Sequence, residues 1–332
     1  MATSAAPGTV LRRGELTFRS VTPPDVDWVA DLWTARSPDE PQDPVTLRYW
    51  WANDDPAWTN ERFVVERGSA PIGVALHTHA PWEKMPERYA RVGTSLLPEL
   101  ELAGDPALDE GFDAMEERAR GDGAKTFVTS AREDRAYLVQ YLLSRGYREE
   151  RRGKNWELDL VANRERLLAM REASRAKMRS QGVRILTLDR DADPDRFRKL
   201  HAMSEEAARD VPTTVPHVSE PYEEFLKWFS APASRLDRFW IAREGDDVVG
   251  VSALAYPPTR GNVWTDWTAT ARKVRGRGIA RALKLETVGQ AIELGIPRVR
   301  TGNDGKNEPI LHLNEEMGYT RIPGHIQLLK PA

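Results

Sequence analysis

The sequence contains no cysteine among its 332 residues. Disulfide bonds, thiolate metal sites and a cysteine nucleophile are therefore excluded. The formal net charge is only −3, which gives no overall attraction to nucleic acid or to an anionic membrane. No window approaches 18 apolar residues, so no transmembrane helix is predicted. These absences predict a cytoplasmic protein that has neither nucleic acid nor membrane among its partners.

The length is too great for one ordinary domain and suits two. A hydrophobic content of 40% is enough to build real cores. The first eight residues are small and polar, and they lack the basic segment and apolar core of a secretion signal. We expect them to form a disordered leader.

A basic, glycine-rich turn is the most informative stretch. It follows a strand-like run over residues 262–270 and precedes an amphipathic segment over residues 279–294. Its glycines allow positive φ, so that backbone N–H groups point into one concavity at the start of a helix. The helix dipole and the arginines add positive charge, and such a turn suits a polyanion such as a pyrophosphate. The turn consists of Arg275, Gly276, Arg277, Gly278, Ile279 and Ala280.

Two better-known phosphate motifs do not fit this turn. Arg281 stands where a dinucleotide-binding Gly-x-Gly-x-x-Gly would have its third glycine, and the Gly-Lys-Ser/Thr of a P-loop is missing. The alternatives that remain are an ordinary strand–turn–helix with solvated arginines and an Arg-Gly segment that touches RNA. The strand before the turn and the helix after it favour the phosphate-binding interpretation.

The order of predicted elements occurs twice along the chain. Ile72-Gly-Val-Ala is repeated as Val249-Gly-Val-Ser, and Arg145-Gly-Tyr as Met317-Gly-Tyr, at nearly the same spacing. Each copy is predicted as β-α-α-β-β-β-α-β-α-β, with a further strand at the end, which gives an α/β fold with a mixed sheet. The predicted units are an N-terminal domain (1–162), a linker helix (163–182) and a C-terminal domain (183–332).

The C-terminal copy resembles the GNAT superfamily of N-acetyltransferases. Arg275, Gly278 and Ala280 match the Arg-x-x-Gly-x-Ala of the acyl-CoA pyrophosphate loop, and the element order of both copies is that of the GNAT fold. The resemblance implies two tandem GNAT (acyl-CoA N-acyltransferase) domains. Tandem actinobacterial acetyltransferases such as mycothiol synthase share this layout, and the resemblance extends to the layout and not to a substrate.

Acetyl-CoA is the acyl donor that this resemblance implies, with no metal. In GNAT proteins the strand before the turn diverges from its neighbour, and its free backbone groups pair with the pantetheine arm. Simple strand propensity would also explain the threonines, and each asparagine could be a helix cap or a loop hydrogen-bonder. The residues predicted to bind acetyl-CoA are Thr268, Ala269, Thr270, Arg275, Gly276, Arg277, Gly278, Ile279, Ala280, Asn303 and Asn307.

Asn314 marks a departure from the family pattern. Many relatives have a tyrosine at this position, which protonates the leaving thiolate. An amide cannot act as that acid, although it can hydrogen-bond the sulfur, and water can protonate the thiolate. Tyr319, five residues later, is expected to belong to the core.

The amine acceptor must lose a proton, and a carboxylate or histidine usually removes it. Asp266 is the first candidate, because strict alternation along its strand would place it on the face of Thr268 and Thr270. An exposed strand carboxylate or a substrate clamp is the alternative. The second candidates lie in the first helix of the C-terminal copy, where charges usually form a solvated face. They are His201, Glu205, Glu206 and Asp210.

The N-terminal copy lacks the turn motif. Residues 97–106 contain no arginine and a single glycine, and they contribute the carboxylates of Glu99, Glu101 and Asp105. We expect these carboxylates to face the phosphates and to oppose their binding. This copy is therefore predicted to have lost CoA binding, and to brace the active copy or supply part of the acceptor pocket.

The sequence thus predicts an N-acetyltransferase with one active site, in the C-terminal domain, which joins acetyl-CoA and an amine in a ternary complex. Its partner would be a small-molecule amine or a peptide amine, and the protein would be a monomer or a homodimer. The main rival is a catalytically degenerate CoA-binding regulatory protein. A nucleic-acid module is less favoured, because no aromatic–basic array is present.

Overall fold

A computed structural model describes residues 10–332 of the chain. The predicted leader lies outside the described residues. Short exposed elements escaped the sequence prediction, among them the first strand at Val10–Arg13 and a five-residue helix at Pro98–Leu102.

The elements alternate in two similar runs. The strands are β1 (Val10–Arg13), β2 (Leu16–Ser20), β3 (Thr59–Arg67), β4 (Ala70–His79), β5 (Tyr89–Leu96), β6 (Thr126–Arg132), β7 (Arg148–Asp159), β8 (Arg184–Thr187), β9 (Phe239–Glu244), β10 (Asp247–Ala255), β11 (Trp264–Thr270), β12 (Arg298–Asp304), β13 (Thr320–Ile322) and β14 (His325–Pro331). The α-helices are α1 (Val26–Arg36), α2 (Pro44–Ala52), α3 (Pro98–Leu102), α4 (Ala107–Gly121), α5 (Ala136–Ser144), α6 (Arg164–Ser180), α7 (Arg196–Ala208), α8 (Tyr222–Ser230), α9 (Ile279–Glu293) and α10 (Glu308–Met317).

All of these strands belong to one continuous mixed sheet. Its order is β1-β2-β3-β4-β5-β6-β14-β7-β12-β11-β10-β9-β8, and β13 pairs with β7 outside this path. Most neighbours are antiparallel, but β5 pairs with β6, and β11 with β12, in parallel. The predicted mixed sheet and the repeated element order are confirmed.

The two halves of the sheet exchange strands. The last strand, β14, lies between β6 and β7 of the first half, and pairs with both. In return, residues 153–159 of β7 pair with β12 of the second half, and β13 pairs with β7 over residues 155–157. The predicted boundaries at 162 and 183 remain predictions, and backbone pairing crosses them in both directions.

Each half encloses its own hydrophobic core. In the first half Phe63, Phe112 and Phe127 are buried against α4 and α5. In the second half the strand residues pack against α7 and the start of α9. A third cluster joins Trp156 and Leu158 of β7 to α9 and α10, so part of the second core is built from a strand of the first half. Burying such a side chain contributes about 1.5–3 kcal/mol.

The connecting helix α6 packs along α9. It buries Leu167, Arg171, Ser174 and Met178 at helical spacing, and it stops at Gly182, whose φ is 72°. The Arg175 guanidinium is ion-paired with Glu286 of α9 at 2.6 Å, and Arg171 with Glu293 at 2.7 Å. The helix is therefore fixed to the C-terminal half. The side chain of Asn163, which precedes this helix, accepts from Arg166 and caps no backbone amide.

None of the helices within residues 10–332 combines the length and the apolar content that crossing a membrane requires.

Gly324 is a position at which the strand exchange is sensitive to mutation. It links β13 to β14, and a Cβ atom there would lie 2.1 Å from the Gly153 carbonyl oxygen, where β7 changes partners. Since backbone must move to admit it, Gly324→Ala should destabilise the protein by about 1–3 kcal/mol. Urea unfolding followed by circular dichroism measures this difference.

Gly121→Ala is the matched control, because a Cβ atom there meets nothing within 4 Å and Gly121 ends α4. It should be neutral or stabilising by about 0.5–1 kcal/mol. Equal stability of Gly324→Ala and the parent would contradict the tight crossing.

Candidate active site

The second half of the sheet opens between β11 and β12. These parallel strands are paired at Trp264 and Arg300 and diverge beyond that point. On its other edge β11 pairs with β10 along its whole length, from Trp264 to Thr270. The backbone groups of residues 268–270 on the side of β12 are therefore not paired with that strand and can bind an extended ligand. The predicted divergence implies this arrangement.

A β-bulge interrupts β11 at Asp266. Trp267 pairs with Ala253 and Thr265 with Leu254, so Asp266 is the extra residue. The expectation from strict alternation is corrected: Thr265, not Asp266, occupies the next position on the face of Thr268. A bulge re-aims a side chain, which strand periodicity alone does not reveal.

The Asp266 carboxyl group is half-buried and makes no ion pair or side-chain hydrogen bond with residues 10–332. Burial raises its pKa from 3.8 to about 6. A carboxylate with this pKa is a stronger base than an exposed one and is still ionised at neutral pH.

The turn before α9 has the conformation that its glycines predicted. Gly276 and Gly278 have φ of 77° and 89°, in the left-handed region that favours glycine. No side chain caps α9, whose first backbone bond runs from the Ala282 amide to the Gly278 carbonyl. The preceding amides, including those of Ile279 and Ala280, thus have no acceptor within the helix, and they can bind an anion.

Charged side chains surround this turn. The Arg275 guanidinium lies 2.7 Å from Asp210, and Arg277 lies 2.9 Å from Glu244. Lys177 of α6 brings its ammonium group within 3.3 Å of where a Gly278 Cβ would lie. Lys177 makes no ion pair among the described residues, so the connecting helix supplies a cation that the sequence prediction missed. Nothing in the sequence distinguishes Lys177 from the other charged residues of this polar helix, so its position beside the turn was not predicted.

The second candidate bases are already engaged. Asp210 binds Arg272 and Arg275, and the Arg272 hydrogen bond, above all, lowers its pKa to about 2. His201 Nε2 lies 2.8 Å from the Glu220 carbonyl oxygen. Neither arrangement favours proton abstraction. The Glu206 carboxylate accepts a hydrogen bond from the Arg272 amide at 3.4 Å.

Glu205 accepts a hydrogen bond from the Glu220 amide at 3.1 Å, and His217 Nε2 lies 3.4 Å from its carboxylate. Burial acts to raise the pKa of Glu205, but these hydrogen bonds and one from Ser219 outweigh it and lower the pKa. Glu205 stays a predicted catalytic residue, and its contacts favour a role in holding the 217–220 loop.

A buried polar chain lies beside the diverging strands. Lys284 Nζ donates to Asn314 Oδ1 at 3.1 Å, and Asn314 Nδ2 donates to Asn303 Oδ1 at 2.7 Å. Lys284 is 1% exposed, and its ammonium group lies 5.0 Å from the centre of the Tyr319 ring. Burial lowers the pKa of Lys284 to about 7. Asn307 begins α10 but caps none of its amides through its side chain.

The sequence prediction missed Lys284, because helical charges are usually solvated. The predicted amphipathic character of residues 279–294 is corrected, because α9 has no polar stripe around Lys284. Residues 282–289 of α9 are all buried, so any charged residue in this run must lie inside the protein.

The corresponding turn of the first half is closed to anions. Its strands β5 and β6 also diverge, after Arg91 and Val128, around a cavity of about 540 Å³. The amides of Leu100, Glu101 and Asp105, however, all donate to backbone carbonyls of the same turn. The turn is folded into α3 and offers no row of free amides.

Two of the three carboxylates of this turn, those of Glu101 and Asp105, bind arginines and do not face an empty phosphate site, which corrects the expected repulsion. Glu101 is buried against the Arg36 guanidinium at 2.6 Å, and Asp105 is paired with Arg67 at 2.5 Å. Asp105 also accepts from the Ala107 amide at the start of α4, at 2.9 Å. A side-chain carboxylate therefore occupies the helix end where a phosphate would bind.

The first half covers part of the second half near β11. The Asp43 carboxylate accepts from the Thr259 amide at 2.8 Å and the Arg260 amide at 3.1 Å, and so holds the loop between β10 and β11. Trp264 of β11 lines a cavity of about 330 Å³ there, and Trp267 lines another of about 400 Å³. Residues of both halves line each of these cavities. Burial alone would raise the pKa of Asp43, but its hydrogen bonds lower that pKa to about 2.

Comparison with known proteins agrees with this arrangement. Residues 199–319 match the acetyltransferase (GNAT) family. A tandem GNAT protein of the clavulanic acid biosynthesis pathway is similar in structure over 96% of this chain and 98% of its own, with a TM-score of 0.74 and 15% identity. The chain has a tandem GNAT fold.

Two further structures are similar over most of the chain. A GCN5-related N-acetyltransferase from Sphaerobacter thermophilus has a TM-score of 0.65 and 18% identity, with 96% of each chain covered. A putative acetyltransferase from Pyrococcus horikoshii has a TM-score of 0.56 and 12% identity, with 97% of this chain and 91% of its own covered. No curated protein matches significantly in sequence. At these identities the likeness establishes the fold, not the reaction.

Lys284→Met should make the protein more stable at neutral pH. The folded state holds the pKa of Lys284 at about 7, below its ordinary 10.5, so the unfolded state binds more protons between these values. Stability therefore rises with pH across this window, and removing the lysine should remove that rise. The loss of the hydrogen bond from Lys284 to Asn314 would offset about 1–3 kcal/mol of this gain.

Urea unfolding of parent and variant at several pH values between 7 and 10 measures this difference. Lys177→Met is the matched control, because Lys177 is exposed and its loss should leave the pH dependence unchanged. A parallel pH dependence for Lys284→Met and the parent would mean that burial does not lower the pKa of Lys284.

Proposed function

We propose that the protein is an acyl-CoA-dependent N-acyltransferase, which transfers acetyl from acetyl-CoA to a primary amine at one site in its second half. The observation that carries the proposal is the contrast between the two turns. The turn before α9 leaves its first amides without acceptors, whereas the turn of the first half bonds its amides internally and is capped by Asp105. Anion binding is therefore favoured once per chain.

The donor is held by backbone more than by side chains in this proposal. The pyrophosphate lies against the amides of residues 276–280, with Arg275, Arg277 and Lys177 around it. The pantetheine arm runs along the free edge of Thr268, Ala269 and Thr270, in the opening between β11 and β12. Asn303 and Asn307, at the far side of this opening, complete the predicted donor site.

The reaction we propose is direct attack of the amine on the thioester. A C–N bond forms, the C–S bond breaks, and the proton of the amine passes to Asp266, directly or through water. The raised pKa of Asp266 and its lack of an ion pair support its role as this base. A backbone N–H of β11 at the bulge is the proposed donor to the oxyanion.

The leaving thiolate has no tyrosine to protonate it. Asn314 is held by Lys284 on one side and by Asn303 on the other, so its amide has a fixed orientation next to the donor site. Because the pKa of Lys284 is about 7, part of the molecules at neutral pH carry a positive charge behind this amide. We propose that the pair stabilises the thiolate until water protonates it.

A CoA-binding regulatory protein is the second candidate, and the absence of that tyrosine is the observation that favours it. The two functions differ in turnover. Release of free CoA thiol from acetyl-CoA in the presence of a panel of amines supports the enzyme, whereas tight binding with no thiol release supports the regulator.

Gly278→Glu should abolish acetyl-CoA binding while the protein stays folded. The new side chain would occupy the phosphate position and would add like charge at an anion site. Arg275→Ala should weaken binding by about 1.5–3 kcal/mol, the value of a hydrogen bond to a charged group, because the amides remain. Titration calorimetry measures both, and the parent should bind one acetyl-CoA per chain.

Gly295→Glu is the matched control, because Gly295 lies just beyond the other end of α9 with a similar φ of 75° and open space around it. It carries the same backbone strain and should bind acetyl-CoA like the parent. Normal binding by Gly278→Glu, or two equivalent sites in the parent, would contradict the proposed donor site.

Asp266→Asn should lower turnover by about 10²–10⁴-fold with little change in acetyl-CoA affinity. In the parent, activity should rise with pH through about 6, because a general base must be deprotonated to act, and burial raises the pKa of Asp266 to that value. This limb of the pH profile should be missing in the variant. A variant that keeps both the rate and the limb would move the role of base to another group.

A further inference from the structure

We propose that His77, His79 and Asp122, in the first half of the chain, form a binding site for a divalent transition metal ion such as Zn²⁺. The inference does not depend on the acetyltransferase proposal, because none of these residues belongs to the second half. The site has no signal in the sequence, since Asp122 follows the two histidines at a distance of more than 40 positions.

The three side chains face one another but form no hydrogen bonds with one another. The Asp122 carboxylate Oδ2 lies 3.7 Å from His77 Nδ1 and 3.8 Å from His79 Nε2, and the ligand atoms of the cluster all lie within 4.8 Å of one another. These distances are too long for hydrogen bonds. Two ligands on one tetrahedral zinc ion, with bonds of about 2.0–2.2 Å, lie roughly 3.4 Å apart. A small closing movement would therefore bring the set to metal-binding distances.

The tautomer of His79 strengthens this argument. Its Nδ1 lies 2.8 Å from the Ala80 carbonyl oxygen, which can only accept, so Nδ1 carries the hydrogen. The lone pair of Nε2 then faces the Asp122 carboxylate oxygen, and Nε2 is buried with no hydrogen-bond partner in the described part of the chain. Two acceptors that face each other repel, and a cation between them turns the repulsion into attraction.

His77 is likewise poorly satisfied as a hydrogen-bonding group. The residue is fully buried and its Nε2 has no partner within residues 10–332. Its Nδ1 lies 3.3 Å from the Glu61 carboxylate, which Arg118 holds through both oxygens. Buried polar atoms are usually hydrogen-bonded, so an unsatisfied histidine pair needs an explanation. Glu61 thus faces the same ring nitrogen as Asp122 does, and a metal ion bound to His77 Nδ1 would replace the contact with Glu61.

The surrounding structure holds the cluster in place. His77 and His79 are two residues apart on β4, so they lie on one face of the strand. The Trp82 ring stacks on His79 at 3.8 Å with an interplanar angle of 4°, and its Nε1 donates to the Asp122 carbonyl oxygen at 2.8 Å. One tryptophan thereby fixes two of the three proposed ligands.

The site is accessible, and its chemistry selects the class of metal. Asp122 is 44% exposed at its side chain, and His79 lines the 400 Å³ cavity between the halves. Two imidazoles and one carboxylate suit zinc, cobalt or nickel, whereas magnesium and calcium prefer oxygen ligands alone. Three protein ligands leave at least one coordination position for water or another small ligand.

Cobalt and zinc titrations of the full chain, free of any histidine tag and stripped with a chelator, test the proposal. We expect one Co²⁺ per chain with visible ligand-field absorption, displacement by Zn²⁺, and a rise of the melting temperature with metal. His79→Gln and Asp122→Asn should each lose these effects.

His217→Gln is the matched control, because His217 lines the same cavity from the second half but lies outside the cluster. It should bind metal like the parent. Asp122→Asn decides the result if His79→Gln fails to fold, since Asp122 is exposed and asparagine keeps its shape. Absence of stoichiometric Co²⁺ or Zn²⁺ binding in the parent, or undiminished binding by Asp122→Asn, would overturn the proposal.

Discussion

The structure depends on the exchange of β7 and β14 between the two halves of the sheet. In the first half, β14 of the second half lies between β6 and β7. In the second half, the end of β7 pairs with β12, which would otherwise be an edge strand. The crossing is tight, because Gly324 lies directly against Gly153. Each half is therefore required for the sheet of the other to form.

The turns of the two copies differ more clearly in their backbone hydrogen bonds than in their charges. Both halves have diverging parallel strands followed by a helix, so both have the framework of a donor site. In the second half two left-handed glycines keep the helix start open, whereas in the first half the turn forms α3 and Asp105 caps α4. A helix start at which a carboxylate of the same chain already accepts from a backbone amide is less available to a phosphate.

Much of the fold was predictable, because it rests on local signals. The glycines at 276 and 278, the polar helix α6 and the repeated element order all follow from turn chemistry and periodicity. The strand exchange was not predictable, since β14 has the same local pattern whichever half it joins. The bulge at Asp266 was missed because alternation assumes a regular ladder. The engaged states of Asp210 and Glu101 depend on arginines distant in sequence.

Burial brings the pKa values of two titratable groups beside the proposed donor site closer together. It raises the pKa of Asp266 to about 6 and lowers that of Lys284 to about 7. Each shift means that folding disfavours the charged form, so each group reduces stability at neutral pH relative to an uncharged residue. Neither forms an ion pair within the described residues that would offset this loss. A fold stabilised by apolar packing alone would have no use for either group. Titratable groups whose pKa values are shifted in this way cluster at functional sites. Asp266 lies on β11 and Lys284 on α9, the strand and the helix that the open turn joins.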